Sequence, residues 1–434
     1  MHTWNRRAFL GIGSAVGAAA LVGSGAHGAA ASPRRQTPGA EFDPTVWREF
    51  GEPLVPGRRG GPLRGHTVAV KDLFAIEGHR VGAGNPAWLA GSRPERRTAP
   101  AVAALLAAGA SVAGIARTDE FAYSLAGTNG HYGTPPNPGA PERISGGSTS
   151  GPASAVSLGL ATIGLGTDTG GSVRIPASYQ GLYGIRPSHG AVSARGLLPL
   201  AESFDTVGWL TRDARTLREA GNVLLPAARR RPPSGAVLSH ELLDVASADV
   251  ASSVRRAAER WRDARLPAVR EIGFDTSVLP TWVAAFQTKQ GVEAWRYWGR
   301  WISRHWDTLN PDVRSRFEKA STYSARDLAA AEDVLAEARE RLDALLGHRV
   351  LILPAASSIA PTRAEASLGG PVIEEARART FQLTCIAGIT GRCAVSVPVR
   401  SRTAPVGMCL VGPRGSDRHL LDLALRAARS GVCL

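Results

Sequence analysis

Lysine and cysteine are both scarce in this chain. Of its 51 lysine and arginine residues, only Lys71, Lys289 and Lys319 are lysines. Arginine does not lose its proton in proteins, so only these three side chains are candidates for a basic amine. The four cysteines all lie in the last fifty residues, and their spacing matches no zinc motif. We expect buried free thiols, with a disulfide from Cys433 as the alternative.

Beyond the N-terminal region, the chain also lacks an uninterrupted apolar run long enough to cross a membrane. The longest candidate, residues 99–116, contains one proline and two glycines. These residues predict a helix over 101–108 followed by a buried strand over 111–116. Alternation of helices and strands is typical of an α/β domain.

The overall composition is that of a folded globular protein. The chain has 434 residues, of which 44% are hydrophobic and 20% charged, enough for one large α/β domain or two ordinary ones. Its formal net charge is +14. The arginines are spread along the chain without interleaved aromatic residues or a nucleic-acid-binding motif, so we interpret the charge as a solvated basic surface and expect no nucleic-acid partner.

The first 31 residues have the pattern of a secretory signal. Arg6-Arg7 precede Phe-Leu and an uncharged stretch rich in glycine and alanine, which ends at Ala31. This pattern predicts a twin-arginine-type signal peptide over 1–31 and an exported protein, periplasmic or extracellular. An uncleaved membrane anchor is the alternative. Residues 32–60 are rich in proline, glycine and arginine, and predict a loose leader.

Three short motifs in the first half of the chain carry polar residues beside glycines or after a β-type run. They are Val68-Ala-Val-Lys71-Asp72, Ser145-Gly-Gly-Ser148-Thr-Ser-Gly151 and Gly166-Thr-Asp-Thr-Gly-Gly-Ser172-Val-Arg-Ile-Pro176. Between and after them we predict a helix over 153–160, a strand over 161–165, a loop over 166–172, a helix over 173–180 and a strand over 181–186. The first motif opens with a short β-type run that ends before Lys71, and the third motif follows the strand predicted over 161–165.

Ser172 follows two glycines and precedes a predicted helix, a place where backbone N–H groups converge on one point. Such a nest stabilises an oxyanion, and the candidate N–H groups are those of Thr169, Gly170, Gly171 and Ser172. A serine nucleophile needs a base nearby. His131 and His189 are the nearest histidines in sequence, and as isolated histidines they are typical of structural roles.

A buried lysine that is neutral can replace histidine as the base. Lys71 follows an apolar run, as a lysine delivered to an interior would. Taken alone, it is equally typical of a surface lysine at the end of a strand.

Together the three motifs resemble those of the amidase signature family. The resemblance implies that Ser172 is the nucleophile, that Ser148 is a bridging serine in a cis peptide, and that Lys71 is the base. It also implies an acyl-enzyme, an alkaline optimum, a small-molecule amide substrate, and no metal or organic cofactor. The implied fold is a single α/β domain over 61–434, with a mixed twisted sheet flanked by helices on both faces.

The resemblance divides this domain into three parts, and it is stronger in some parts than in others. The parts are a catalytic core over about 61–215, a helical substrate-side segment over about 216–348, and a C-terminal return to the sheet over about 349–430. Further segments look like indole-3-acetamide hydrolases: 82–86, 131–135, 186–193, 203–209 and 412–418. The helical segment resembles the family least, so the substrate is an open question and arylacetamides such as indole-3-acetamide are one expectation.

The sequence departs from the family pattern beside the bridging serine. Thr149 stands where a second serine is usual, Ser150 where glycine is frequent, and Pro152 is unusual. Cys393 stands near an expected proline. Trp295, Trp298 and Trp301 recur along one predicted helix face, with Trp306 nearby; we interpret them as core rather than as a wall of the substrate pocket.

Three other functions are alternatives to an arylacetamide-hydrolysing amidase. A peptide amidase or broad-specificity acyl-amide or ester hydrolase on the same scaffold ranks second. A glutaminase or transamidation subunit disagrees with the export signal, because its partners are cytosolic. A non-catalytic receptor disagrees with the presence of Ser172 and with the absence of repeats. The sequence leaves the oligomeric state open, and it indicates no stable membrane partner beyond the export machinery.

Overall fold

In the computed structural model, which describes residues 42–227, 232–264 and 266–434, eleven strands form one mixed sheet. The signal segment 1–31 and the first part of the leader lie outside the described residues. The strands are β1 (Trp47–Val55), β2 (Thr67–Lys71), β3 (Ser111–Ala116), β4 (Ile163–Asp168), β5 (Tyr183–Arg186), β6 (Thr206–Thr211), β7 (Ala236–Leu238), β8 (Val269–Glu271), β9 (Val350–Pro354), β10 (Ala394–Val399) and β11 (Val406–Val411).

The order of the strands across the sheet is β1-β3-β2-β4-β6-β5-β10-β11-β9-β7-β8. The pairs β3/β2, β2/β4, β9/β7 and β7/β8 are parallel, and the other six are antiparallel. The parallel pairs are joined through intervening helices, as parallel strands require. The predicted mixed sheet is confirmed.

Helices surround the sheet in the described part of the chain. They are α1 (Pro86–Gly91), α2 (Pro100–Ala107), α3 (Ser150–Ser157), α4 (Arg174–Gln180), α5 (Ala214–Leu224), α6 (His240–Asp244), α7 (Ala248–Asp263), α8 (Leu279–Ile302), α9 (Pro311–Thr322), α10 (Ala325–Leu346), α11 (Pro371–Thr390) and α12 (Asp417–Arg429). Among the described residues, no helix is both long enough and apolar enough to span a membrane.

Both faces of the sheet are covered by helices. Along β9 the side chains alternate: Val350 and Ile352 belong to one hydrophobic cluster, and Leu351 and Leu353 to another. The first cluster includes residues of α2, α5, α7 and α12, and the second includes residues of α8, α10 and α11. Since successive strand residues face opposite sides, helices pack on the two faces, as the predicted α/β/α fold requires.

Most boundaries predicted from sequence agree with the structure to within a few residues. Strands β3, β9 and β11 coincide with the apolar runs that the sequence predicts as strands, over 111–116, 350–354 and 406–411. Helix α3 begins at Ser150 rather than at 153, because proline is tolerated in a first helical turn. Strand β4 extends to Asp168, three residues into the predicted loop, because its last residues pair with β6.

The leader predicted over 32–60 is not loose throughout. Its residues 47–55 form β1, an edge strand that pairs antiparallel with β3. Trp47 is buried in this strand and packs with other apolar residues beside α3. The described residues all lie in one compact unit, Gly39–Leu434.

Candidate active site

Strands β2 and β4 are parallel neighbours, so their carboxyl ends meet at the same edge of the sheet. Residues that follow the carboxyl ends of parallel strands are where α/β folds build ligand sites. Lys71 is the last residue of β2, and Thr167 and Asp168 end β4. Helix α3 begins beside them, directly after Ser148 and Thr149. The fold therefore brings all three motifs to one place.

Lys71 is fully buried and surrounded by hydroxyl groups. Its Nζ lies 2.9 Å from Ser148 Oγ, 2.8 Å from Thr167 Oγ1 and 3.2 Å from Thr149 Oγ1. None of these partners carries a charge. The alternative of a surface lysine at a strand end, left open by the sequence, is wrong.

Burial lowers the pKa of Lys71 to about 7, because the ammonium form loses its hydration. The negative charges of Asp119, Asp205 and Asp168 act in the opposite direction and raise the pKa of Lys71. Burial outweighs them. A substantial share of Lys71 is consequently neutral near pH 7 and available as a base.

Ser148 follows a cis peptide bond from Gly147, as the resemblance implied for the bridging serine. Its carbonyl oxygen accepts hydrogen bonds from Thr118 Oγ1 at 2.9 Å and from the Asp119 N–H at 3.3 Å. A Cβ on Gly147 would lie only 2.3 Å from a carboxylate oxygen of Asp119, so only glycine fits there. The turn that presents Ser148 is therefore fixed on both sides.

The departures from the family pattern are accommodated by their surroundings. Thr149 keeps the hydroxyl of the usual serine and uses it as a partner of Lys71. Its extra methyl group occupies the space above Gly166, where an added Cβ would lie 2.2 Å from Thr149 Cγ2. Ser150 donates to Asp119 Oδ1 at 3.0 Å, so it gives that buried carboxylate a partner. Thr149 and Ser150 are thus built into the site.

Ser172 is almost fully buried, in the loop between β4 and α4. Its carbonyl oxygen accepts from the Thr149 N–H at 3.2 Å, which joins the loop that carries Ser172 to the segment that carries Ser148. Gly171, just before it, has a φ of +126°, and an added Cβ would lie 2.7 Å from Ile175 Cδ1. Glycine is therefore required for this loop to take its path.

Asp168, at the end of β4, hydrogen-bonds the loop that carries Ser172. Its carboxylate accepts from the N–H groups of Gly171 and Val173 at 3.0 and 3.2 Å. It also pairs with Arg174 at 2.9 Å and Arg186 at 3.0 Å, both buried. Burial alone would raise the pKa of Asp168, but the two guanidinium groups hold that pKa well below its usual range. Asp168 is therefore held in its ionised form, and its hydrogen bonds fix the loop in place.

Four backbone N–H groups are predicted from the sequence to form an oxyanion hole, and the hydrogen bonds of Asp168 show that one of them already has an acceptor. This is the Gly171 N–H, which donates to the Asp168 carboxylate at 3.0 Å. The side chain of Thr169 donates to Asp205 Oδ1, and Arg186 donates to the Thr169 carbonyl at 3.0 Å, so the start of the loop is held on two sides. The N–H groups of Thr169, Gly170 and Ser172 are the ones left for this role.

Ser172 lies in the wall of a small pocket. Besides Ser172, its walls contain the oxyanion candidates Thr169 and Gly170 and a mixture of apolar and polar side chains: Ala122, Tyr123, Ser124, Leu125, Leu200, Gln290, Arg377 and Phe381. Gln290 comes from α8, and Arg377 and Phe381 come from α11. Segments far from the motifs therefore shape the space in front of Ser172.

Other residues singled out in the sequence have structural roles. Trp298 is 1% exposed and packs against Phe121, with ring centroids 4.7 Å apart, while Trp295 and Trp301 are partly buried around it. The tryptophan face is core, as predicted. His131 hydrogen-bonds Glu120. All four cysteines are free and buried, so the expectation of buried thiols is confirmed.

Sequence reasoning missed several residues of the site. Asp119 lies in no motif, and Asp205 lies in segment 203–209 without an assigned role; only the fold brings them near Lys71. Gln290 lies in the helical segment, which resembles the family least, and Arg377 lies in the C-terminal part. In the described ranges, no group of three or more histidine, cysteine, aspartate or glutamate side chains is arranged to hold a metal ion.

A buried lysine surrounded by hydroxyl groups, beside a glycine-rich loop at one edge of an α/β sheet, indicates the class of amide-hydrolysing enzymes, and comparison with known proteins agrees. The sequence matches the model of the protein family Amidase over residues 51–248. It is 37% identical to Amidase 1 of Arabidopsis thaliana over 393 aligned positions, which cover 83% of this chain and 92% of that protein. The chain belongs to the amidase family and is an amide-hydrolysing enzyme.

Two further comparisons extend this result. A solved structure described as an amidase is 29% identical to the chain, with a TM-score of 0.76 and coverage of 85% of each chain. The chloroplastic outer envelope protein 64 of Arabidopsis thaliana is 32% identical over 398 aligned positions, which cover 85% of this chain and 67% of that protein. The chain is thus similar both to an amidase of known structure and to a protein named for the chloroplast envelope.

Proposed function

We propose that this enzyme hydrolyses amides through a relay of Lys71, Ser148 and Ser172 and a covalent acyl-enzyme on Ser172. The observation that carries the proposal is the position of a fully buried lysine amine 2.9 Å from the hydroxyl of Ser148. A buried amine with lowered pKa is a general base near neutral pH, and a serine nucleophile requires one.

The hydrogen bonds around Lys71 fit the neutral amine. A neutral lysine has two N–H bonds and one lone pair. Thr167 and Thr149 accept the two N–H bonds, and the Thr149 hydroxyl then donates to the Thr167 carbonyl at 3.2 Å. The lone pair is left for the hydroxyl hydrogen of Ser148.

The proposed reaction starts with two linked proton transfers. Lys71 takes the proton of Ser148, Ser148 takes the proton of Ser172, and Ser172 Oγ attacks the amide carbon. Ser148 then gives a proton to the leaving amine as the C–N bond breaks. A water molecule, activated by the same relay, attacks the ester and releases the carboxylic acid. The N–H groups of Thr169, Gly170 and Ser172 stabilise the oxyanion in both steps.

The pocket supports an acyl group with an apolar part. Leu125, Leu200 and Phe381 provide hydrocarbon and aromatic walls in front of Ser172. An arylacetamide such as indole-3-acetamide is therefore one substrate to test. A peptide amide or another acyl amide or ester is the alternative.

The test is a hydrolysis panel of arylacetamides, aliphatic amides, C-terminal peptide amides and esters. We expect Ser172→Ala to lose at least a thousandfold in kcat/KM on every substrate that the wild type hydrolyses, and exposed Ser193→Ala to match the wild type. Intact mass after reaction with a slow ester is expected to show one acyl adduct on the wild type and none on Ser172→Ala. Equal product release by the wild type and Ser172→Ala would remove Ser172 as nucleophile.

We also propose that residues 1–31 export the folded enzyme by a twin-arginine-type route. The pattern of Arg6-Arg7 followed by an uncharged, glycine- and alanine-rich stretch supports it. Replacing both arginines by lysine should leave the enzyme inside the producing cell, as measured by fractionation. Export of the double variant at the wild-type level would refute the proposal.

A further inference from the structure

The pocket in front of Ser172 lies beside a second cavity. The two share Ser124, Leu125 and Arg377 in their walls. Of these three shared residues only Arg377 carries a charge. A substrate that is anchored at Ser172 and extends toward the second cavity would therefore contact this guanidinium group.

Arg377 is mostly buried but has few partners. Its Nη1 lies 3.3 Å from Glu374 Oε2, while its Nε is buried without a hydrogen-bond partner among the described residues. Leaving a buried donor unsatisfied costs free energy that a ligand acceptor would recover. A carboxylate is the acceptor whose geometry matches the edge of a guanidinium group.

The neighbouring charges leave Arg377 less well compensated than the arginine beside it. Arg316 pairs with Asp312 at 2.7 Å and also contacts Glu374. Arg377 shares only Glu374 with it. Burial first, and then the positive charge of Arg316, lower the pKa of Arg377 to about 10, against the opposing effects of Glu374, Tyr123 and Asp312. An added anion would offset this cost.

We propose that the acyl group of the substrate ends in a carboxylate and that Arg377 binds it, which makes Arg377 a specificity-determining residue. The substrate class is then the monoamide of a dicarboxylic acid, with its apolar chain along Leu125, Leu200 and Phe381. This inference rests on the proposed hydrolysis at Ser172. It predicts that neutral amides such as indole-3-acetamide are the slower substrates.

The test compares succinamate, glutaramate and adipamate with the neutral diamides of the same length, which replace the carboxylate by an amide of nearly equal shape. For the best chain length, we expect the wild type to prefer the acid at least tenfold in kcat/KM. Arg377→Gln should reduce that preference at least tenfold. Arg379→Gln removes an exposed arginine of the same helix and should leave the preference unchanged.

A binding measurement keeps the inference testable if Arg377→Gln folds poorly. Calorimetry on Ser172→Ala should detect glutarate or its nearest homologue, and Arg377→Lys in that background should weaken binding, since lysine keeps the charge but loses the two-pronged geometry. A wild type that hydrolyses diamides as fast as the acids, or an equal loss on both with Arg377→Gln, would overturn the inference. Failure of the proposed function is different: no acid or neutral amide would then be hydrolysed faster by the wild type than by Ser172→Ala.

Discussion

Two opposing effects set the pKa of Lys71: burial lowers it and favours the neutral form, whereas three carboxylates raise it and favour the charged form. Of these, Asp119 has the largest effect. Its carboxylate is itself buried and accepts from the Gly127 N–H at 2.9 Å and from Ser150. Burial raises the pKa of Asp119 above its usual value, which Lys71 and these hydrogen bonds only partly offset.

Replacing Asp119 by asparagine should therefore move the pH profile of the enzyme. The base works when deprotonated, so kcat/KM falls as pH drops through the Lys71 pKa of about 7. Without the Asp119 charge, the pKa of Lys71 falls further, and the acid limb of kcat/KM shifts to lower pH. Steady-state kinetics from pH 5 to 9 measure this shift. Asp244→Asn, at an exposed aspartate, is the control and should leave the limb in place.

An acid limb that stays at the same pH in Asp119→Asn, or moves upward, would contradict the assignment of Lys71 as the base. A rate that stays flat down to acid pH in the wild type would do the same.

The sequence was informative about residues whose role depends on their near neighbours in the chain. Ser148 and Ser172 stand in short glycine-rich motifs, because the glycines that shape each turn are adjacent to the serine. Asp119, Asp205 and Arg377 carry no such local signal. Their roles depend on residues brought near by the fold, such as Thr169, which hydrogen-bonds Asp205 36 positions away, and only the folded chain shows them.

At the scale of elements, prediction succeeded where a strand is apolar throughout. Strands β9 and β11 are buried at every position, so they read as continuous apolar runs. Strand β1 was missed because it contains Gly51 and Pro53 and lies in a segment rich in arginine. As an edge strand it pairs with β3 alone, and an edge tolerates proline and an irregular register.

Helix α8 offers an element-scale prediction about stability. Trp298 is 1% exposed, donates from its indole nitrogen to the Pro199 carbonyl at 2.9 Å, and packs against Trp88 and Phe121. Trp298→Ala should lower the free energy of unfolding by about 3–5 kcal/mol, because it leaves a large cavity. The adjacent Tyr297 is 49% exposed, and Tyr297→Ala should cost no more than about 0.5 kcal/mol.

Urea unfolding followed by far-UV circular dichroism measures both variants. Similar losses for Trp298→Ala and Tyr297→Ala would mean that the tryptophan face is not core. A loss of substrate binding by Trp298→Ala at unchanged stability would instead favour the pocket-wall interpretation that the structure has set aside.

At the scale of the whole molecule, the exposed arginines and the buried titratable groups differ in their effect on the stability of the fold. The net charge of +14 comes from arginines spread along the chain, and many ion pairs, such as Arg314–Glu318, are half-exposed. Exposed pairs contribute little to stability. Among the groups whose pKa is strongly shifted, Lys71, Asp119, Asp168 and Asp205 are buried near the active site. The pH dependence of folding is therefore expected to report on the site.

Lys71 should make the folded protein more stable as pH rises from 7 to 9. Its ordinary pKa is 10.5 and its folded pKa about 7, so in this interval the unfolded chain holds one more proton than the folded protein. The free energy of unfolding then rises by up to about 1.4 kcal/mol per pH unit from this residue. Above pH 9 the buried cysteines, whose pKa values are raised by burial, act in the opposite direction.

The contribution of Lys71 can be isolated with Lys71→Met, which keeps a long unbranched side chain but cannot titrate. Urea unfolding at pH 7.0, 7.5, 8.0, 8.5 and 9.0 gives the slope for each protein, and the effects of the cysteines cancel in the difference between them. We expect the wild type to gain stability relative to Lys71→Met with each step. Parallel curves would mean that Lys71 stays charged in the folded protein, and the relay would then lack its base near neutral pH.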